Sequence, residues 1–217
     1  LLPATFPSIL VNANVGIAVS MASSICPFNL KEVCEAAIGL LRDPDYEVSE
    51  AIKGPDFPGG GLLLFDAAEL KKVIETGRGS FKVRSKYRYD KQNNCIEVVE
   101  IPATTTVEAI MDKIVDLVKE NKIREIADLR DETDLNGLKL TLDLKRGQDP
   151  DKLMQKLYRM TPLQDNYSCN FNILINGYPR VLGIKEILSE WIAFRSECVR
   201  RRVCFDLNKK MEKLHLL

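Results

Sequence analysis

The sequence predicts an α+β fold. Stretches with helical spacing and stretches with period-two alternation follow one another irregularly along the chain. Residues 138–145 form the cleanest strand pattern. Leu138, Leu140, Leu142 and Leu144 face one way; Lys139, Thr141, Asp143 and Lys145 face the other. From Ile184 to the end there is no Gly or Pro, which predicts one helix of about 34 residues and roughly 50 Å. Such length exceeds what one compact domain normally holds, so the helix is expected to leave the body and run to another module.

The elements follow in order. Ile9–Val11 reads as a short apolar strand, Asn12–Gly16 as a polar turn, and Ile17–Met21 as a second apolar run. Together they predict a hairpin or a loop of close backbone approach. Asn29 caps a helix with Glu32 as reciprocal partner, and Leu30, Val33, Cys34, Ala37, Leu40 and Leu41 keep helical spacing until Asp43-Pro44. The Gly- and Pro-rich stretch 54–61 leads to the apolar run Leu62–Phe65. Asp66 and Glu69 then open a short helix through Leu70, Val73 and Ile74, which Gly77 stops. Residues 80–89 and 94–101 read as strands joined by the turn Asp90–Asn93. A helix begins near Thr105, with Glu108 as capping partner and Val107, Ile110, Met111, Ile114, Leu117 and Val118 as its stripe. Asn136-Gly137 is the turn before the 138–145 strand, and Asp149-Pro150 starts another helix. Residues 170–176 give a further strand that ends at Asn176-Gly177.

Composition sets limits. The 217 residues suit one or two domains, and 45% hydrophobic content can bury a core. Lys plus Arg total 31 and Asp plus Glu total 31, so any nucleic-acid reading must rest on where the charges sit. Six cysteines form no C-x-x-C pair and the single histidine is His215, so no metal-ligand set is clustered. The thiols are expected to be reduced, mostly buried and cytoplasmic. No signal peptide or apolar run of ~18 residues predicts a membrane span. The chain opens at Leu1 without Met and stops at Leu217 inside a helical pattern, as an excised piece would.

Three features are candidates for chemistry. On the strand 80–89, Lys82, Arg84, Lys86 and Arg88 share one face and Phe81, Val83, Tyr87 and Tyr89 the other, with Arg78 just before. Alternate residues stand ~6.6 Å apart, close to the phosphate spacing along a DNA strand. The same pattern also fits a solvated sheet face paired with acids such as Glu97. The turn tip Val15-Gly16-Ile17 can push an apolar side chain between base pairs, or it can belong to an ordinary hairpin with those residues in the core. The acids Asp131, Glu132 and Asp134 can hold Mg²⁺, or form a solvated loop beside Arg130. With one histidine a Ser-His-Asp or Cys-His set is not expected. Gly59-Gly60-Gly61 lacks the Gly-Lys-Ser/Thr of a phosphate loop.

Ordered motifs then carry a resemblance over essentially the whole chain. Leu10-Val11-Asn12, Gly16-Ile17-Ala18-Val19 and Met21-Ala22 come first. Gly54-Pro55-Asp56-Phe57-Pro58, Thr76-Gly77-Arg78-Gly79, Glu100-Ile101-Pro102, Asp131-Glu132-Thr133-Asp134 and Lys145-Arg146 follow, and Lys185-Glu186-Ile187-Leu188, Arg200-Arg201-Arg202 and Lys213-Leu214-His215 close the set. This series resembles the A subunits of bacterial type IIA DNA topoisomerases, gyrase and topoisomerase IV.

The resemblance implies a tower domain with a mostly antiparallel sheet and packed helices. Residues 1–30 would be a lead-in with a DNA-wedge hairpin, 31–183 the tower, and 184–217 the start of a coiled-coil arm. The family cuts one duplex, passes a second through and reseals, with a tyrosine linked to the 5′ phosphate. None of Tyr46, Tyr87, Tyr89, Tyr158, Tyr167 or Tyr178 matches that tyrosine, so no catalytic residue is expected here and the piece alone should not cleave DNA. Mg²⁺ and ATP are implied only through a separate B subunit. The implied partners are duplex DNA, a second A subunit, and the B subunit, in the bacterial cytoplasm at the chromosome. The family's base-pair-inserting isoleucine falls on Ile17, with Asn12, Asn14 and Val15 beside it, and Arg78, Lys82, Arg84, Lys86 and Arg88 become a backbone track. The sequence departs from the family at Ala13, Asn14 and Val15, at Ser20 and at Phe28; two hydroxyl donors are lost, and Asn14 offers one replacement. A non-catalytic α+β DNA- or protein-binding module with the same fold is the alternative.

Overall fold

A computed structural model describes residues 3–19 and 21–216. In chain order the elements are α1 (Ser8–Val11), β1 (Asn14–Ala18), β2 (Met21–Ile25), α2 (Leu30–Arg42), β3 (Leu62–Leu64), α3 (Ala67–Thr76), β4 (Arg78–Arg84), β5 (Lys86–Asp90) and β6 (Cys95–Glu100). They continue as α4 (Val107–Lys119), β7 (Ile126–Asp131), β8 (Leu140–Leu144), α5 (Pro150–Met160), β9 (Gln164–Asn170), β10 (Asn172–Ile175), β11 (Tyr178–Val181) and α6 (Ile184–Leu216). The α+β class is therefore as the sequence predicts. Contacts divide the chain into two compact units. One joins Leu1–Asp56, Ala68–Gly79 and Cys169–Leu217; the other joins Phe57–Ala67 and Ser80–Ser168.

In the first unit, Asn29 caps α2 by accepting from the Lys31 amide at 3.0 Å. Glu32 is not its reciprocal partner, because the Glu32 carboxylate accepts from the Lys53 amide instead. The helix buries Val33, Ala36, Ala37 and Leu40. Phe28 and Phe171, both fully buried, meet edge to face at 6.2 Å. Gly77, at φ +67, ends α3, and its carbonyl accepts from the Phe171 amide. α6 is one unbroken helix of 33 residues. It buries Ile184, Ile187, Leu188 and Cys198, and every described residue from Val199 on is exposed.

The first unit departs from the sequence pattern at three points. Ile9–Val11 is not a strand but part of the single helical turn α1, closed by the Asn12 amide on the Ser8 carbonyl at 2.9 Å. That turn buries Leu10 and aims its carbonyl at the Phe28 amide, 2.8 Å away. The hairpin turn is not at 12–16. β1 and β2 pair from Asn14↔Ile25 to Ala18↔Met21, which leaves Val19 outside the ladder at the tip; Ser20 lies outside the described residues. The strand expected at 170–176 is interrupted at Phe171, and β10 pairs with β11 across Asn176-Gly177, both at positive φ. That conformation is the type I′ turn an Asn-Gly pair favours.

In the second unit, β5, β6, β8 and β7 form an antiparallel sheet in that order. Ile96, Val98, Leu140, Leu142 and Leu144 pack with Ile110, Ile114 and Leu117 of α4 and Leu153, Met154 and Leu157 of α5. Thr106 caps α4 and Asp149 caps α5, with Pro150 at its first turn. The leucine alternation holds, but the opposite face of β8 is not fully solvated. Thr141 is buried and donates to Glu132 at 2.9 Å. The sequence pattern does not predict β7, since only Ile126 of its six residues is buried. The segment expected as one strand at 80–89 breaks at Ser85. The buried Ser85 amide donates to the Leu163 carbonyl at 2.7 Å, and its own carbonyl accepts from the Tyr158 hydroxyl. β4 pairs with β3 before the break, and β5 pairs with β6 after it.

Charges cover the outer face of this sheet. Arg88 pairs with Glu97, Lys139 bridges Glu97 and Glu132, and Arg130 reaches Glu132 and Asp143. The Arg88 hydrogen bond is the main cause holding the Glu97 carboxyl below its ordinary range, and Lys139 does the same for Glu132. A carboxyl lowered in this way stabilises the fold above its unfolded value of about 4.3, and the contribution fades as pH falls through the folded value. Urea midpoints should therefore drop between about pH 6 and about pH 3. Glu97→Gln should narrow that drop, and an unchanged drop would remove Glu97 as a contributor.

A side chain at Gly77 would meet the Leu182 carbonyl at an already left-handed φ, whereas Gly177, also left-handed, faces open space. Gly177→Ala should cost about 1–2 kcal/mol for the backbone conformation alone. Gly77→Ala should add an overpacking cost of about 1–3 kcal/mol. Equal urea midpoints for the two variants would contradict the close contact at Gly77.

Candidate nucleic-acid interface

The β1–β2 hairpin places its residues by simple strand geometry. All five β1 residues are exposed. Val15 and Ile17 are two apart and share one side, with Ile17 91% exposed. Isoleucine branches at Cβ, so its side chain is stiff. Covering such a side chain stabilises by about 1.5–3 kcal/mol. Near the base of the hairpin, Ile25 is buried, and β2 meets β9 at Ser24↔Asn170. Asn14 opens β1 opposite Ile25. Asn12 is the exposed residue that closes α1. The hairpin thus brings Asn14, Val15 and Ile17 together, with Asn12 just before them. Sequence reasoning misses Val19, which is 95% exposed at the tip. A strand carried on to Ala18 would have found it.

The five cations differ in state. Arg78, at the start of β4, and Lys82, further along it, are exposed and make no ion pair among the described residues. Arg84 is half-buried: its Nε donates to Gln164 at 2.5 Å, and its guanidinium lies 5.0 Å from the Tyr158 ring centre. Lys86 pairs with Glu100 at 3.0 Å and Arg88 with Glu97. The alternation of the sequence survives, since Phe81, Val83 and Ser85 are buried. The continuous row of free cations does not, because the Ser85 break divides it and acids take up its second half.

The acidic segment is likewise engaged. Asp131 accepts from the Thr133 amide, Asp134 from the Asn136 amide and side chain, and Glu132 from Lys139 and Thr141. Asp90, Cys95 and Glu97 stand within metal-ligand reach of one another. However, Glu97 already faces two cations, and Asp90 accepts from Gln92 and Asn93 in its own turn. Among the tyrosines, Tyr87 donates to Asp151, Tyr89 to Asn94 and Tyr158 to the Ser85 carbonyl. Burial, and then the Asp151 carboxylate, push the Tyr87 hydroxyl well above its ordinary value, opposite to what a phenolate nucleophile needs. No helix among the described residues is long and apolar enough to cross a membrane.

The family model for the A subunit of DNA gyrase/topoisomerase IV matches residues 1–217. The DNA gyrase A subunit of Borrelia hermsii is 41% identical over all of this chain and 27% of its own length. That of Ureaplasma parvum is 40% identical over all of this chain and 26% of its own length. The chloroplastic/mitochondrial DNA gyrase A subunit of Nicotiana benthamiana is 39% identical over all of this chain and 24% of its own length. The chain spans about a quarter of the length of these relatives. It belongs to the family of DNA gyrase/topoisomerase IV A subunits.

Proposed function

We propose that this chain is the DNA-bending part of the A subunit of an ATP-dependent type II DNA topoisomerase. In this reading 1–30 is the lead-in with the wedge hairpin, 31–183 the tower and 184–217 the start of a coiled-coil arm. The observation that carries it is Ile17. A family member leaves a stiff apolar side chain 91% exposed on a tight hairpin, and such a side chain fits between base pairs as a wedge. Bending a duplex costs of order 1–6 kcal/mol by elastic estimates. Apolar insertion offsets part of this, and phosphate contacts must supply the rest.

Arg78 and Lys82, free of acids, are the primary contacts of that track. Arg84 is a fixed contact held by Gln164 and Tyr158, while Lys86 and Arg88 would have to exchange a carboxylate for a phosphate. Asn12 and Asn14 offer amide donors at the wedge, and Val15 extends its apolar side. The nucleophilic tyrosine, a second A subunit and the B subunit complete the enzyme in this reading. The acids of residues 131–134 are spent on their own turn and on Lys139 and Thr141, so they do not fit Mg²⁺. The ion and ATP are assigned to the B subunit, and no step on this chain passes through them.

In the full A subunit bound to its B subunit, Ile17→Ala should reduce duplex bending, read by energy transfer between end labels, and lower cleavage. The melting temperature should move little, as at other exposed sites. A large fall in melting temperature would make Ile17 a core residue and end the wedge reading. Changing Arg78 and Lys82 together to Ala should lower the salt dependence of duplex affinity by roughly one slope unit per lost contact. The pair Lys86 and Arg88 should change it less; a reversed order would overturn the ranking. A gene without an Arg-Tyr pair upstream of Leu1 would favour a non-catalytic binding module.

A further inference from the structure

On one side the wedge hairpin meets β9 and β10, and side-chain amides from that side reach it. β2 meets β9 at Ser24↔Asn170. Beyond that point, toward the tip, two asparagines reach the same carbonyl. Asn170 Nδ2 donates to the Ala22 oxygen at 2.8 Å, and Asn172 Nδ2 lies 3.5 Å from it, at the edge of hydrogen-bond range. Ala22 is the residue paired with Ile17 across the hairpin. A carbonyl only accepts, so the amide nitrogen of Asn170 must face it. That orientation leaves Asn170 Oδ1 buried without a partner, a cost in stability that an apolar residue of similar size would avoid.

The residues around Asn170 are fixed. Cys169 is buried, with its sulfur 3.6 Å from that of Cys26. Phe171 is fully buried against Phe28, and its amide and carbonyl are bonded to Gly77 and Leu182. The amide of Asn170 therefore projects from a rigid support onto the strand that backs Ile17.

We propose that Asn170, assisted by Asn172, is a positioning residue that fixes the angle of the β1–β2 hairpin and so aims Ile17 at the duplex. This rests on the reading of Ile17 as the wedge. Asn170 touches no DNA in this scheme; it acts through Ala22. A two-stranded hairpin alone is marginal in water, so its direction depends on what holds β2 from the side. Without the amide, Ile17 would still be exposed but no longer held at one angle.

The test uses a duplex labelled at both ends and the full A subunit bound to its B subunit. Asn170→Leu keeps the volume and removes both the donor and the orphaned acceptor. The expected result is a severalfold smaller bent fraction and fewer cleavage complexes, with an unchanged or raised melting temperature. Asn172→Ala should give a milder loss, and Asn170→Gln, which keeps a donor, should recover part of the bending. Ile17→Ala is measured beside them. If Ile17→Ala abolishes bending while Asn170→Leu leaves it intact, the positioning role fails and the wedge stands. If Ile17→Ala has no effect, the wedge reading fails and the positioning role fails with it. A fall in melting temperature for Asn170→Leu that parallels its loss of bending would make Asn170 an ordinary fold residue and overturn the proposal.

Discussion

One residue carries the first unit. The Phe171 amide donates to Gly77, its carbonyl accepts from Leu182, and its ring is buried on Phe28. Those three contacts join the end of α3, the start of α6 and the segment leading into α2. Unpaired backbone groups at such a crossing would cost about 1–3 kcal/mol each once buried. Gly77 is needed because a side chain there would collide with Leu182. The two hairpins depend on this crossing, since β10 starts immediately after Phe171 and β9 ends immediately before it.

The second unit is governed by a different constraint, the disposal of charge. The chain is neutral as a whole, and its neutrality is arranged locally across one sheet face. Arginine, glutamate, lysine, glutamate, arginine and aspartate follow in contact from Arg88 to Asp143. Surface ion pairs contribute little individually, and a network, here anchored on the buried Glu97, contributes more. Cations inside the network are screened by their partners, while Arg78 and Lys82 keep an open field.

Much of this is legible in the sequence, and the reason is locality. Asn29 and Asp149 as caps, Asn176-Gly177 as a turn, the leucines of β8 and the uninterrupted α6 are all set by residues close in sequence. The departures share a nonlocal cause. β7 and β11 hold too few buried residues to show alternation, so they are strands because neighbours pair with them. Ile9–Val11 looks like a strand by composition, but its helical turn depends on Phe28. The break at Ser85 depends on Leu163 and Tyr158. Whether a cation is free depends on acids such as Glu100, fourteen residues from Lys86. Ile17 stands out only by resemblance, because its apolar pattern also fits a core hairpin.

The unbroken helix α6 has a mechanical consequence. Its 33 residues make a rod of roughly 50 Å, and only its first half is buried against the unit. Where it begins, Gly183 sits so close to the carbonyls of Ile74 and Glu75 that a methyl group would not fit. A rod clamped at one end amplifies angle into distance. The free part runs from Cys198 to Leu216, roughly 27 Å, so a tilt of about 5° where burial ends would sweep the far end by about 2 Å. The close fit at Gly183 and the burial of Ile187, Leu188 and Cys198 together therefore set how finely the position of the distant tip is defined.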